Sequence, residues 1–415
     1  MRHATILLCL LTTLLGQLPA RGQAQIRLTG QVRDALSQRP LPYASVFLAN
    51  TTYGTTTDST GHFVLRGVPG GQYEFMASYL GYELYRQTFD LQQSTTLAAL
   101  LQPGAAQLTE VVVRPAKNRP ADYQKFLKQF LGYSTLSQQC RIENPQDIVV
   151  IYDETRRELT AVAPRNVQVL NQALGYRIIY HNFNFKVNYN ANRCVFVAAP
   201  VFEELKSADV RQQQRWNENR QRAYAGSLPH FLRCVREDRL AEEGFLVRAA
   251  VSEPNSEAAQ RRVALADDSL AEVHTPESGL LTRVYKRPLP TTGFCRVEAN
   301  ASRYKLAFQH ALQVTYQREP PDAMYAANMA IIRRNDMIRT EKNLWQASKS
   351  DISLGEQSFN PILEVSELQL LGPEALILPT GYLSNPLGLR VDGYWAFEKI
   401  GEALPLDYAP AVLKQ

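Results

Sequence analysis

Long apolar runs are absent beyond the N-terminus. After residue 24 no stretch approaches the ~20 consecutive apolar residues of a membrane-spanning helix, so no transmembrane helix is predicted in the mature chain. Cysteine is scarce, five in 415 residues, and none stands in a CxxC or other metal-ligand spacing. Net charge is small as well. Forty-five basic and 40 acidic side chains give +5, and loss of residues 1–24, with Arg2 and Arg21 and no acid, leaves +3. So mild a balance does not point to nucleic acid or to an anionic membrane surface. No phosphate loop, dinucleotide fingerprint or GxSxG element occurs. No cofactor is implied.

What is present begins with an export pattern. Arg2 and His3 precede an apolar run from Ile6 to Leu18, and the small-residue site Gly22-Gln23-Ala24 follows. The run is short for a bilayer, so 1–24 is read as a signal peptide cleaved after Ala24. The mature chain is then periplasmic or associated with the outer membrane. In that oxidising setting Cys140, Cys194, Cys234 and Cys295 form either one disulfide or buried free thiols, and both readings stay open.

From Ile26 to Leu101 apolar and polar residues alternate in short runs. The turn clusters Asp58-Ser59-Thr60-Gly61, Pro69-Gly70-Gly71 and Leu80-Gly81-Tyr82 punctuate them. This spacing predicts a small antiparallel sandwich. Gly30-x-Val32, Pro40-Leu41-Pro42-Tyr43-Ala44-Ser45-Val46, Gly61-x-Phe63, Pro69-x-Gly71-x-Tyr73 and Tyr79-x-Gly81-Tyr82 together resemble the carboxypeptidase-regulatory-like module. The resemblance implies a seven-stranded transthyretin-like β-sandwich and a cell-envelope setting, with no catalytic residues. Related sandwiches bind starch-like glycans, so the resemblance implies a glycan as one candidate ligand. Tyr53, Tyr82 and Tyr85, with Tyr79, are the candidate sugar-stacking aromatics; Tyr79 and Tyr82 also suit a core position beside the Gly81 turn. Asp58 reads as a turn residue.

Residues 102–120 read as a linker, rich in proline and small residues, around the β-forming run Leu108-Thr109-Glu110-Val111-Val112-Val113. That run resembles the stretch behind this module in TonB-dependent outer-membrane receptors, which implies an accessory partner of such a transporter as an alternative role. The rest of the chain lacks the many alternating segments of a large barrel.

Residues 121–251 read as an α+β domain. Tyr123, Phe126, Leu127, Phe130 and Leu131 predict an amphipathic helix, and 176–189 with 193–201 a long hairpin. In the helix expected at 207–224, Trp216, Asn219, Arg220 and Ala223 share a face, and Ser227 is placed to cap the next helix. Residues 252–279 read as an irregular insertion. Residues 280–415 read as a β-rich region continuous with 121–251, with one strand over 305–317, strands near 361–371, 375–378 and 387–391, and a closing helix over 395–403. Leu174-Gly175-Tyr176, Arg215-Trp216-x-x-Asn219-Arg220, Gly226-Ser227-x-x-His230 and Leu404-Pro405-Leu406-Asp407-Tyr408 are similar to envelope proteins in which this module precedes a region of unassigned role.

Chemistry-bearing constellations are thin. His274-x-x-Glu277 has half of a zinc carboxypeptidase pattern, but His310 is the only later histidine and falls on the expected strand face; no metal site is expected. Ser227 and His230 stand one helical turn apart, which makes a nucleophile–base pair the enzymatic alternative. Arg215, Trp216, Arg220 and His230 form the other candidate ligand-binding group, and a solvated, salt-bridged helix is the simpler account of the arginines. The fold class expected is mainly β, a sandwich followed by an antiparallel-sheet-rich α+β region, and the role a non-catalytic envelope one, binding or structural.

Overall fold

Alternation from Ile26 onward produces seven strands in two layers: β1 (Ile26–Asp34), β2 (Ser45–Leu48), β3 (Gly54–Thr56), β4 (His62–Val68), β5 (Gly71–Ser78), β6 (Tyr85–Leu91) and β7 (Thr95–Leu101). One layer has the order β4-β1-β7 and the other β3-β2-β5-β6. Their inward residues, Leu28, Val46, Phe63, Phe75 and Leu101 among them, close the core between the layers. The sandwich is not wholly antiparallel as expected. β7 pairs parallel to β1, because it reaches β1 by crossing over from the other layer and not through a hairpin. Asp58 accepts from the amides of Thr60 (2.8 Å) and His62 (2.9 Å), an Asx-type turn.

The computed structural model describes residues 26–104, 118–191, 193–254, 256, 271–274, 280–298, 303–328 and 363–410. Residues 1–24, read from sequence as a signal peptide, Val111–Val113 and most of the 252–279 insertion lie outside the described residues.

A second sheet follows helix α1 (Pro120–Phe130): β8 (Cys140–Ile142), β9 (Val149–Asp153), β10 (Glu158–Val162), β11 (Val167–Asn171), β12 (Tyr176–Asn188) and β13 (Arg193–Glu204). β12, 13 residues long, is the hub. One edge pairs with β11 and then β10; the other pairs with β13. Its buried positions change parity midway, from Tyr176, Ile178 and Tyr180 to Phe183, Phe185 and Val187. A register shift at His181–Asn184, with Asn182 at φ 52°, makes the change. α1 covers this face, Phe130 lying 5.1 Å from Phe183 and Phe126 5.5 Å from Phe185, both edge-on. The sandwich docks on the same sheet. Phe47 and Met76 pack on Ala199 and Val201, Asn50 donates to the Pro200 carbonyl (2.7 Å) and Phe202 to the Thr51 carbonyl (2.9 Å).

Helices α2 (Val210–Tyr224) and α3 (Leu228–Glu237) lead into β14 (Phe245–Pro254), β15 (Ala271–His274), β16 (Leu280–Pro288), β17 (Cys295–Glu298), β18 (Arg303–Leu306), β19 (Ala311–Tyr316), β20 (Glu364–Leu370), β21 (Ala375–Ile377), β22 (Leu389–Gly393) and helix α4 (Tyr394–Phe397). They make a sheet β15-β16-β14-β19-β20-β22 and a small one, β17-β18-β21. Phe231, Leu232 and Val235 of α3 enter the core between them.

Three expectations are corrected here, and one left open is resolved. The strand expected over 305–317 is two, β18 and β19, in different sheets, and the intervening turn carries His310 exposed at φ 64°. His310 is therefore a turn residue and not a strand-face one. The 252–279 insertion contains ordered strand, since β14 reaches Pro254 and β15 pairs with β16. The closing helix is shorter than expected, one turn at α4 and then a 3-10 turn over Ile400–Glu402. Cys140, Cys194, Cys234 and Cys295 are all free thiols.

The expected face of α2 performs one task. Trp216 Nε1 donates to the Gln172 carbonyl (2.8 Å), Asn219 Nδ2 to Ala173 (2.8 Å), and Arg220 Nε and Nη2 to Leu174 (2.7 Å) and Gly175 (3.2 Å). Four successive carbonyls of the β11–β12 turn are thus satisfied by one helix. Gly175 has φ 70°, and a Cβ there would overlap the Trp216 indole, so glycine is required twice over. Gly175→Ala is expected to destabilise the chain by at least about 2 kcal/mol. Trp216→Phe, which keeps a ring but removes the donor to the Gln172 carbonyl, should cost about 0.5–1.5 kcal/mol. Urea unfolding measures both, and a change in neither midpoint would refute the clamp.

Candidate functional site

The sandwich, the second sheet and the C-terminal strap meet around Asp407. The strap is held from two sides. Leu406 donates to the Asn50 carbonyl (2.7 Å), the Thr52 amide donates to Asp407 Oδ1 (2.9 Å), and the Thr52 hydroxyl donates to the same carboxylate. From α3, Arg233 donates to the carbonyls of Thr380 (2.8 Å), Leu406 (2.9 Å) and Tyr408 (3.0 Å).

Between strap, sandwich and α2 lies an open cleft of about 550 Å³. Thr52 forms one wall, and Tyr176 and Glu204, opposite each other on β12 and β13, form the floor. Asn217, Arg220 and Gln221 come from α2, and Pro405, Asp407, Tyr408 and Ala409 from the strap. Arg220 is 6% exposed. It spends two of its donors on the clamp, gives a third to Glu204 (3.0 Å), and lies 4.0 Å over the Tyr176 ring. Burial raises the Tyr176 and Tyr408 hydroxyl pKa values, so both phenols stay neutral donors at physiological pH. The Asn217 and Gln221 amides stand one turn apart and bond no other described side chain. One cation against two carboxylates leaves no positive surplus for a phosphate-rich ligand. Amides, phenols and carboxylate acceptors instead suit a neutral ligand with many hydroxyls.

Of the residues singled out from sequence, Arg220 lines this cleft. Trp216 is turned into the clamp, and Arg215 is exposed, bonding Gln212 (2.6 Å). Tyr53, Tyr82 and Tyr85 are half-buried against the sandwich core and present no exposed platform. The Tyr82 hydroxyl donates to Asp34 (2.6 Å) and that of Tyr85 to Gln87 (2.9 Å). Asn217, Gln221, Asp407 and Tyr408 were not flagged as ligand contacts. The available signal was the Leu404–Tyr408 motif, which marked the strap without saying what it faces.

Ser227 and His230 do not form a nucleophile–base pair. Ser227 caps α3, its hydroxyl donating to the Tyr224 carbonyl (2.7 Å) and accepting from the His230 amide (3.3 Å). The imidazole faces elsewhere. Its Nδ1 accepts from the Gly226 amide (3.1 Å), and the ring lies 4.7 Å from Tyr224 and 5.0 Å from Phe245. Burial, aided by Arg233, Arg318 and Arg239, pushes its pKa down to about 4. In an NMR titration the His230 ring should therefore stay neutral well below the ordinary imidazole value near 6.5. A midpoint at that ordinary value would reopen a catalytic reading.

Comparison with known proteins is consistent with the sandwich and silent about the cleft. Residues 28–113 match the model of the CarboxypepD_reg-like domain. No curated protein matches the chain. Among solved structures, a type II cohesin–X-dockerin complex from Acetivibrio cellulolyticus is 18% identical over 18% of this chain and 56% of its own, at a TM-score of 0.17. A protein of unknown function from Bacteroides fragilis is 12% identical over 44% of this chain and 84% of its own, at 0.17. One from Bacteroides uniformis, provisionally classed as carbohydrate-binding, is 10% identical over 44% and 75%, at 0.16. The chain spans little more than half the length of the first of these, and at such scores the likenesses carry no functional weight. The N-terminal sandwich is a carboxypeptidase-regulatory-like domain.

Proposed function

We propose that the protein is an exported, non-catalytic binding protein of the bacterial cell envelope, periplasmic or at the outer membrane, and that its ligand is a carbohydrate held in the junction cleft. The observation that carries this reading is the lining of the cleft. Two neutral phenols, two uncommitted amides and two carboxylates surround a volume of about 550 Å³, within the range of small-molecule sites. Such groups address the paired hydroxyls of a sugar, and the Tyr408 ring offers apolar contact to its C–H faces. The family resemblance of the sandwich supports a glycan as ligand class. The location moves, however, from the sandwich tyrosines to the junction.

The test is glycan-array screening of the full chain followed by titration calorimetry with the best soluble glycan. Asn217→Ala combined with Gln221→Ala should weaken binding at least about tenfold, while Tyr85→Ala leaves it unchanged. Silence across a broad array, or loss of binding on Tyr85→Ala alone, would reject the cleft as the site.

A further inference from the structure

A second cavity lies on the other side of α2. It is small, about 10 Å³, room for about one water molecule. Its walls come from segments far apart in sequence: Arg222 from α2, Glu319 and Asp322 from the loop after β19, Glu364 from β20, and Glu398 and Glu402 from the turns after α4. Five carboxyl groups thus face one guanidinium. Asp322, 4% exposed, is well served. It accepts from the Thr135 hydroxyl (2.6 Å) and amide (3.1 Å) and lies 3.8 Å from Arg222. Glu364 is not. It is 6% exposed and takes a hydrogen bond from the Tyr394 hydroxyl, yet among the described residues its Oε2 has no partner. A buried carboxylate oxygen with no donor is untenable as an anion. As an O–H it needs only an acceptor, and the cavity has room for about one water molecule.

We propose that this cavity is a proton-binding latch, in which carboxyl groups hold protons at neutral pH and so allow α2, β20 and the α4 turn to close on one another. Among the described residues no three carboxylates, histidines or cysteines converge as the ligands of a metal ion, so the proton is the cation that the cavity suits. The other groups facing it do not offset the acids. Tyr316, Tyr325 and Tyr394 are phenols pushed up by burial, and the Ser134 hydroxyl bonds Glu402. Arg318 lies near Tyr316 and pairs with Glu243 (3.5 Å).

Burial pushes Glu364 up to about 9 and Glu319 to about 7. Burial and the neighbouring carboxyls also raise Glu398, and burial raises Glu402. All four are raised above the ordinary carboxyl value of 4.5, so the folded chain binds protons that the unfolded chain releases. Their contribution is therefore complete below the unfolded value and is lost as pH rises through the folded ones. The latch tightens on acidification and loosens in alkali.

The experiment is urea unfolding of the full chain between about pH 7 and 8.5. This window lies above the range in which the buried histidines His181 and His230, both lowered to about 4, oppose the trend. The unfolding equilibrium constant should rise with pH, about tenfold per pH unit for each proton held. Glu364→Gln, a neutral isostere, should flatten that dependence by about one proton. If this variant does not fold, Glu319→Gln and the infrared band of protonated carboxyl groups in the unmodified chain carry the test: the band should be present at neutral pH and lost in alkali. Identical pH slopes for the two chains, absence of that band, or stabilisation of the unmodified chain by added calcium or sodium chloride that Glu364→Gln abolishes, would overturn the latch.

Discussion

Four carbonyls in a row, from Gln172 to Gly175, three of them on buried residues, take their donors from one helix, and this constraint organises most of the molecule. Ala173 and Leu174 are 1% and 0% exposed, so water cannot serve them. Each unpaired carbonyl would cost about 1–3 kcal/mol. Helix α2 supplies a donor to each from one face, with the Arg220 fork covering the last two, and the Gly175 carbonyl accepts from the Leu205 amide as well (2.9 Å). The turn so fixed starts β12, the strand against which β10, β11 and β13 register. The sandwich docks on β13, and the strap is tied to the sandwich through Asn50 and Thr52. The cleft is the space left where these dependent pieces meet.

How much of this was legible follows from which partner each residue has. The face Trp216, Asn219, Arg220 and Ala223 could be read from helical spacing, and Ser227 from its place before an apolar stripe. What the face grips could not be read, because its partners are backbone carbonyls that every residue carries. The sandwich showed itself through alternation and turn residues, yet the parallel pairing of β1 and β7 is a long-range choice that leaves no local trace. Phe183, Phe185 and Val187 announced one buried face of β12. The switch from Tyr180 depends on Asn182 adopting a left-handed conformation, which asparagine tolerates but does not signal. His310 alternates in phase with Leu312 and Val314, so period-two reading placed it inward; the break before Ala311 lies in backbone geometry.

The tyrosines of the sandwich illustrate a related limit. Tyr53, Tyr82 and Tyr85 are spaced as strand-end aromatics, and such spacing serves a stacking platform or a core margin alike. The structure distinguishes them through hydroxyl partners. Tyr82 is committed to Asp34, whose carboxyl is lowered to about 2 by amide and phenol donors. Asn217 and Gln221, by contrast, were two polar residues among many on a charged helix. They gain meaning only because the strap, about 190 residues later in the sequence, returns to face them.

Arg220 and Arg222 show how one helix serves two environments. Two residues apart at about 100° per residue, they point roughly 200° apart. Arg220 is anchored mainly by carbonyl oxygens, which do not titrate. Arg222 looks into a group of carboxyls, which do. The clamp face of α2 is therefore held mainly by groups that do not titrate, whereas the opposite face borders the carboxyls of the second cavity. Asn217 and Gln221 share the helix with the clamp, so the cleft wall keeps its position on β12 while the far side of α2 gains or loses its hold on β20. A change in acidity acts first on the attachment of the third sheet to α2, and the strap, which Arg233 pins to α3, is a second connection to the cleft. The order of these connections follows from which acceptors carry a proton and which cannot.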